Sequence, residues 1–377
     1  MANNSGTAVP TRNVVQEDAL AIAVQHKRCG LAISMGVGKT RIAIQHLQRY
    51  YDQFIQVLVV VPKHSVAQSW IDELGKMDLE KLTKHITFTT YLSLKKHNPN
   101  DYDIVYLDEC HSLLTGHRDF LDAYTGKILG LTGTPPVSGE KEEMVSRYCP
   151  IVYNFDVDQA TDSNILNDYR IIVHMLPMSN HKNLAKKRKD GGTWYTSEVK
   201  DYEYTSGRIE DAPFGKQKQL AAIMRMKAMM EYPTKESYAK QLLKIVKDRC
   251  ILFANTQKQA DRMCKYSYHS KNKASKDNLE LFSNGTIDQL SCVLQLSEGV
   301  SIPGLKQGII MHAYGNERKS AQRIGRLLRL NPTETAMCHI LCYKNSVDEQ
   351  WVKKALAEFS DDKIKYFEPT NKQLNYG

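Results

Sequence analysis

The chain has 377 residues, 42% hydrophobic and 25% charged, as in an ordinary soluble globular protein but longer than one core usually organises, so two domains are expected. Lys and Arg outnumber Asp and Glu by 51 to 42, a formal charge of +9 that favours a polyanionic partner without requiring one. The absence of a secretory segment or an apolar run near ~18 residues argues against export and membrane insertion, and eight cysteines without a CxxC pair argue for reduced, intracellular thiols over a disulfide framework.

From 30 to 135, apolar strands alternate with amphipathic helices. The strand "GLAIS" leads into "MGVGKT" and then a helix with Ala43, Leu47, Tyr50 and Tyr51 on one face, so Gly36 to Thr40 is a strand-to-helix turn. Gly36, Val37 and Gly38 can curl their N–H groups around a phosphate chain, Lys39 can reach the terminal phosphates and Thr40 can ligate Mg²⁺. The strict P-loop pattern has a glycine where Ile33 stands, so this turn alone also reads as two ordinary turn glycines. "VLVVVP" is the next strand, and "SVAQSWIDEL" a helix with Val66, Trp70, Ile71 and Leu74 on one face. "ITFTT", "DIVYLDE" and "KILGLTG" complete a set of nearly continuous apolar strands, which implies a parallel sheet covered on both faces. In such sheets ligands sit at the carboxyl ends of the strands.

"DIVYLDECHSL" delivers Asp108 and Glu109 to a strand end, where a carboxylate pair can hold hydrated Mg²⁺ and orient an attacking water. That division of labour is what nucleoside triphosphate hydrolysis needs. "LGLTGTPP" ends another strand with Thr132 and Thr134, either a strand-to-loop turn closed by prolines or a hydroxyl-bearing link between the acidic site and the second unit.

Residues 154–248 read as polar and less regular. Within them "KNLAKKRKDGG" places five Lys or Arg in the eight residues 182–189, a solvated loop or a loop that contacts nucleic-acid backbone, and "GKQKQLAAIMRMKAMMEY" reads as a helix with Met and Ala in the core. The α/β pattern restarts near 250 with "CILFANT", a helix from Gln257, "LSCVLQL", "KQGIIMHAY", a helix through "SAQRIGRLLRL", "AMCHILCY" and a last helix from Asp348 to Phe359. Ser346 and Glu349 form a capping box there, and Val352, Ala355, Leu356 and Phe359 share a face. "CHILC" reads as strand alternation rather than a zinc site. In "SAQRIGRLLRL", Gln322, Arg326 and Arg329 lie near one side with no interleaved carboxylate; an arginine offered to a γ-phosphate stabilises transition-state charge.

Taken in order, "MGVGKT", "VVVPKHSVAQSW", "TFTTY", "LDECH", "LTGTP", "ILFANT", "SEGVSIPGL" and "QRIGRLLR" resemble motifs I, Ia, Ib, II, III, IV, V and VI of the superfamily 2 helicases and translocases. The resemblance runs from about residue 12 to 360 and implies an α/β fold of two tandem RecA-like domains, parallel sheets flanked by helices, with ATP in the cleft between lobes and nucleic acid across them. The expected domains are 1–152, an ATP-binding lobe; 153–365, a second lobe with a basic insertion around 180–215; and 366–377, a flexible tail. By position the resemblance implies that Lys39 and Thr40 serve phosphate and Mg²⁺, Asp108 and Glu109 the metal and the water, and His111 the coupling of hydrolysis to movement, with Thr132 and Thr134 as a coupling link. Gln322 stands beside the γ-phosphate, Arg326 and Arg329 match the arginine fingers, and Gln16 stands where the family has an adenine-reading glutamine. Strand contacts are expected from Pro62, Lys63, Thr90, Asn255, Thr256, Ser297 and Gly299.

"MGVGKT" and "VVPKHSVAQSW" look like Snf2-type DNA translocases, whereas "QRIGRLLR", "SEGVSIPGL" and "NDYRIIVHMLP" look more like phage recombination helicases of the UvsW kind, which remodel branched DNA. The resulting expectation is a cytoplasmic (host cytoplasmic if phage-encoded) ATP- and Mg²⁺-dependent DNA helicase or translocase in replication, recombination or repair, a monomer or weak oligomer that binds branched, forked, single-stranded or duplex DNA and no membrane. An RNA helicase and the motor subunit of a restriction or defence complex are the alternatives.

Overall fold

The computed structural model describes residues 10–188, 190–213, 215–293, 305–313, 335–357 and 359–370, and divides into two compact units, the first running to Asp168 and the second beginning at Tyr169. In the first unit, strands β1 (Arg28–Ile33), β2 (Val57–Val61), β3 (Ile86–Thr90), β4 (Ile104–Asp108), β5 (Lys127–Thr132) and β6 (Ile151–Phe155) form one parallel sheet in the order β3-β2-β4-β5-β1-β6. Every residue of β2 and β4 is buried, as a sheet covered on both faces requires. Val57, Val59 and Val61 face a core built with α1 (Arg12–Ala23), α2 (Lys39–Tyr50) and α3 (His64–Lys76). Leu58 and Val60 face the opposite core, closed by α4 (Arg118–Ala123) and α5 (Gly139–Tyr148).

Ala43 and Leu47 are buried on α2 as expected, but Tyr51 is 39% exposed because the helix stops at Tyr50 and Tyr51 is extended. The first unit passes residue 152, the boundary expected from sequence, because β6 pairs with β1, and Phe155 and Ala160 of the following α6 (Val157–Asp162) enter the same core.

The second unit also holds one parallel sheet, of β7 (Tyr169–Leu176), β10 (Cys250–Phe253), β11 (Ser267–Tyr268), β12 (Gln289–Cys292), β13 (Gln307–Ile310), β14 (Ala336–Tyr343) and β15 (Ile364–Phe367), in the order β11-β12-β10-β13-β14-β7-β15. Its described helices are α7 (Glu198–Glu210), α8 (Lys216–Met230), α9 (Pro233–Ile245), α10 (Gln257–Met263), α11 (Ser275–Ser283) and α12 (Val347–Ala355). An antiparallel hairpin, β8 (Leu184–Lys187) and β9 (Thr193–Thr196), stands apart from the sheet.

Residues 154–248 are therefore more regular than the sequence suggests. They contain β7, the hairpin and the three helices α7 to α9, whose wide solvated faces dilute the apolar period. On α8 only Ala221, Met229 and Met230 are buried, while Leu220, Ile223 and Met224 are exposed, so its apolar residues are only partly core. The segment expected to be a free tail from 366 starts inside β15, which pairs with β7; residues 371–377 lie outside the described set.

Val352, Ala355, Leu356 and Phe359 are buried, as their spacing indicates, although α12 itself ends at Ala355. The expected capping box is altered: the Ser346 hydroxyl accepts from Asp348 N at 3.1 Å, and the Glu349 carboxylate accepts from Asn345 N at 2.6 Å instead of from Ser346. Two buried polar groups tie this unit together. His174 on β7 hydrogen-bonds both the Tyr238 hydroxyl on α9, at 2.8 Å, and His339 on β14, at 3.0 Å. Lys235, fully buried in the first turn of α9, pairs with Asp348 in the first turn of α12 and donates to Leu341 O at 2.8 Å.

Candidate nucleotide site and strand-contact residues

Strands β4, β5 and β1 lie side by side and parallel, so the segments that follow them emerge on one edge of the sheet. After β1, Gly36 and Gly38 take φ of 90° and 111°, the left-handed region in which a side chain is strained. A Cβ on Gly38 would also lie 2.4 Å from Gln16 Nε2. Gln16 is buried on α1 and donates to Val37 O at 2.6 Å, so its amide braces the loop from behind. Gly38 provides no side-chain cap for α2, leaving the first N–H groups of that helix available to an anion. Lys39 Nζ donates to Ile33 O at 3.0 Å and lies 3.3 Å from where a Cβ on Gly133 would be, so the lysine runs from the β1 loop to the β5 loop. Thr40 is half-buried in the first turn of α2.

At the end of β4, Asp108 is 7% exposed and accepts from Trp70 Nε1 at 2.9 Å. Burial, and next the charge of Glu109, push its carboxyl up to about 6, against the opposing effects of the Trp70 hydrogen bond and the Lys39 charge. The Tyr91 hydroxyl donates to Asp108 O at 2.8 Å. Glu109 takes φ 53°, which turns the chain sharply at the strand end, and its buried Oε2 lacks a hydrogen-bond partner although it lies 3.3 Å from His111 Nδ1. His111 Nδ1 instead shares a hydrogen bond with Thr132 Oγ1 at 2.9 Å, and Thr132 Oγ1 accepts from Thr134 N at 3.1 Å. The acidic and hydroxyl segments are thereby linked side chain to side chain.

These groups fit a nucleoside triphosphate with a divalent cation. A crowded buried carboxylate and an orphaned buried carboxylate oxygen both gain from nearby positive charge, and the loop offers N–H groups and an ammonium to phosphate. Among the described residues no group of three or more His, Cys, Asp or Glu forms a metal cluster of its own, so the cation would depend on the phosphates as well as on Asp108 and Thr40.

In sequence Trp70 reads as core only and Tyr91 carries no signal of a role. Both do fill the core, but each also holds Asp108 through its polar atom, a contact that no spacing in the sequence encodes.

Pro62, half-buried, and Lys63, exposed, follow β2, and Thr90, 8% exposed, ends β3, all on the edge that carries the phosphate loop. Thr256 has a structural task, its hydroxyl accepting from Gln259 N at 3.1 Å to cap α10. Asn255, 9% exposed and two residues beyond β10, has both polar side-chain atoms buried without a hydrogen bond, which suits a bound polar group. Ser297, Gly299, Gln322, Arg326 and Arg329 lie outside the described residues.

Residues 11–137 match a family model described as type III restriction enzyme, res subunit, and residues 234–331 match the helicase conserved C-terminal domain, together more than half of the chain. The chain belongs to the superfamily 2 helicases. Within that superfamily its relatives include a DNA 3'-5' translocase, a putative DNA 3'-5' helicase and, over 128 residues, a putative ATP-dependent RNA helicase. It is 24% identical over 362 residues to the DNA 3'-5' translocase XPB2 of Sulfurisphaera tokodaii, covering 86% of this chain and 80% of that one. Its fold is that of tandem RecA-like helicase domains. The type ISP restriction-modification enzyme LlaBIII bound to DNA superposes with a TM-score of 0.63 at 15% identity, over 98% of this chain and only 31% of that one. Dbp5 of S. cerevisiae, bound to RNA and ADP with beryllium fluoride, superposes with a TM-score of 0.56 at 14% identity, over 94% and 89%. This superfamily 2 chain thus spans about a third of the restriction enzyme it resembles. No helix among its described residues is long and apolar enough to cross a membrane.

Proposed function

We propose that this protein is an ATP- and Mg²⁺-dependent DNA translocase that remodels branched or duplex DNA, by branch migration or fork regression, in replication, recombination or repair. The observation that carries the reading is the His111 to Thr132 hydrogen bond, which joins the carboxylates after β4 to the strand end lying beside the phosphate loop. A link of this kind lets a change at the acidic site reach a neighbouring loop, as the conformational step of a motor requires.

In this reading Lys39 and the amides from Gly36 to Thr40 bind the phosphates, with Gln16 bracing the loop they belong to. Thr40 and Asp108 would hold Mg²⁺, which would neutralise phosphate charge. The unpartnered Glu109 oxygen orients a water and takes its proton. His111 and Thr132 register the change at Glu109, and Thr134 extends the link. Gln322, Arg326 and Arg329 belong to the same proposal as the groups that steady charge on the γ-phosphate. Asn255 with Pro62, Lys63, Thr90, Thr256, Ser297 and Gly299 would follow the DNA backbone, so affinity should fall steeply with salt and show little base preference.

ATP hydrolysis is to be measured for wild type and Glu109→Gln without nucleic acid and with single-stranded DNA, duplex DNA, a four-way junction and single-stranded RNA. Stimulation by DNA, greatest with the junction and lost in the variant, is expected. Stimulation by RNA alone overturns the DNA assignment, and indifference to every nucleic acid overturns the motor. A second reading, the motor subunit of a restriction or defence complex, is favoured by the res-subunit match over 11–137. A stable hetero-complex on purification from its source would mark it.

A further inference from the structure

The hairpin of β8 and β9 contains the basic run 182–189 and is left unused by the ATP site. Its pairing brings Leu184 opposite Thr196, Ala185 opposite Tyr195, Lys186 opposite Trp194 and Lys187 opposite Thr193. Residues directly opposite share a face of an antiparallel pair, and the faces alternate along the strands. One face is therefore Leu184, Lys186, Trp194 and Thr196, and it is the anchored one. Leu184 and Thr196 are buried, and Lys186 pairs with Asp201 of α7 at 2.9 Å. Just beyond β9, Ser197 caps α7, and the fully buried Glu198 accepts from Ser179 N at 3.1 Å and Thr234 N at 2.8 Å. The root of the hairpin is fixed to its unit.

The other face is Ala185, Lys187, Thr193 and Tyr195, and all four are exposed. Tyr195 is 60% exposed, and its neighbours across and along the face, Ala185 and Thr193, are too small to cover its ring. Trp194 adds a ring that is 43% exposed on the anchored side. Lys187 lies diagonal to Tyr195 on the open face, within reach of a long side chain. Arg188 is exposed at the turn, where its N–H donates to Gly192 O at 2.6 Å and Gly191 takes φ 87°. Lys187 and Arg188 are in no ion pair among the described residues, whereas Lys186, on the anchored face, pairs with Asp201; in the turn the Asp190 carboxylate accepts from Gly192 N at 2.9 Å. An exposed Tyr and Trp could serve any apolar partner. Exposed cations on the open face and at the turn select one that offers flat rings and anionic groups together, which is unpaired nucleic acid.

Deepening the proposed function, on which it rests, we infer that the β8–β9 hairpin is a stacking platform for single-stranded DNA. Tyr195 takes an unpaired base on the open face, and Lys187 and Arg188 hold the adjoining phosphates. The platform binds a strand already separated from its partner and shows no preference among bases, because every base offers a π-face.

The test is fluorescence anisotropy of labelled single-stranded and blunt duplex oligonucleotides over a salt series, with wild type, Tyr195→Ala, Tyr195→Phe and Lys187→Ala/Arg188→Ala. Tyr195→Ala should weaken single-strand binding by roughly 5-fold or more, Tyr195→Phe should retain it, and duplex affinity and melting temperature should be kept. The double basic variant should lower the slope of log K against log salt by about 0.7 for each phosphate contact removed. Unchanged single-strand affinity in Tyr195→Ala, or an effect confined to single-stranded RNA, overturns the platform while leaving the motor intact. A wild type that binds no DNA overturns both.

Discussion

Trp70 packs its ring into the core of the first unit and directs its one polar atom at Asp108. The N–H favours the ionised carboxylate, so Trp70→Phe, which keeps most of the ring, removes a restraint on an acid already pushed up to about 6 by burial. The acid limb of the kcat/KM profile for ATP should then move to higher pH, with a stability loss of about 1.5–3 kcal/mol for a hydrogen bond to a charged group. A limb at the wild-type position would show that the ionisation of Asp108 does not govern the rate. Glu109 beside it differs in kind: its φ of 53° and its buried oxygen without a hydrogen bond mark a residue held for use rather than for packing. The glycines, the lysine and the acidic pair were legible in the sequence because each is a residue type that the chemistry itself demands. The tryptophan was not, because an apolar helix face and an N–H aimed at a carboxylate look the same when spelled out in letters.

Among the elements, α9, α12 and β14 meet at the buried pair of Lys235 and Asp348, where Asp348 also accepts from Tyr343 N at 2.9 Å. Lys235→Met strands a buried carboxylate and should cost about 3–5 kcal/mol. Lys235→Met combined with Asp348→Leu removes both charges and should recover much of that loss. Urea unfolding followed in the second unit compares the two, and a double variant no more stable than the single one would contradict the burial argument. Strands β1 to β5, β10 and β12 to β14 are readable from their apolar runs, whereas β11 is only two residues long and β6 and β15 are largely half-buried or exposed, so these three carry too weak a pattern. β7 escaped because Arg170 and His174 interrupt its apolar run, and because its partners lie far along the chain. In sequence the hairpin reads as a loop because two of the four residues of β8 are Lys and Arg188 follows, yet its alternate residues divide cleanly into an anchored and an open face.

For the molecule as a whole, three buried histidines set an acid limit. Burial is the main cause for each, aided by Lys127 at His46 and by His339 at His174, and their values fall to about 4 for His46, about 3 for His174 and about 4 for His339. The unfolded chain takes up these protons near pH ~6.5 and the folded one only well below, so stability is present above ~6.5 and declines as the pH falls toward about 4. Each histidine contributes a slope of about 1.4 kcal/mol per pH unit in that window. His46 lies in the first unit and the other two in the second, so both should soften together. Melting temperatures that stay flat between about pH 6.5 and 5 would refute this.

The pairing of β7 with β14 sets Tyr169 against Ala336 and Leu176 against Tyr343. During synthesis, β7 leaves the ribosome long before either of its neighbours, since β15 comes later still. At about 5–20 residues per second, that interval is on the order of ten to thirty seconds. Throughout it, an apolar strand with two open edges must be kept from pairing with another nascent chain, a hazard that belongs to the order of manufacture and not to the finished protein.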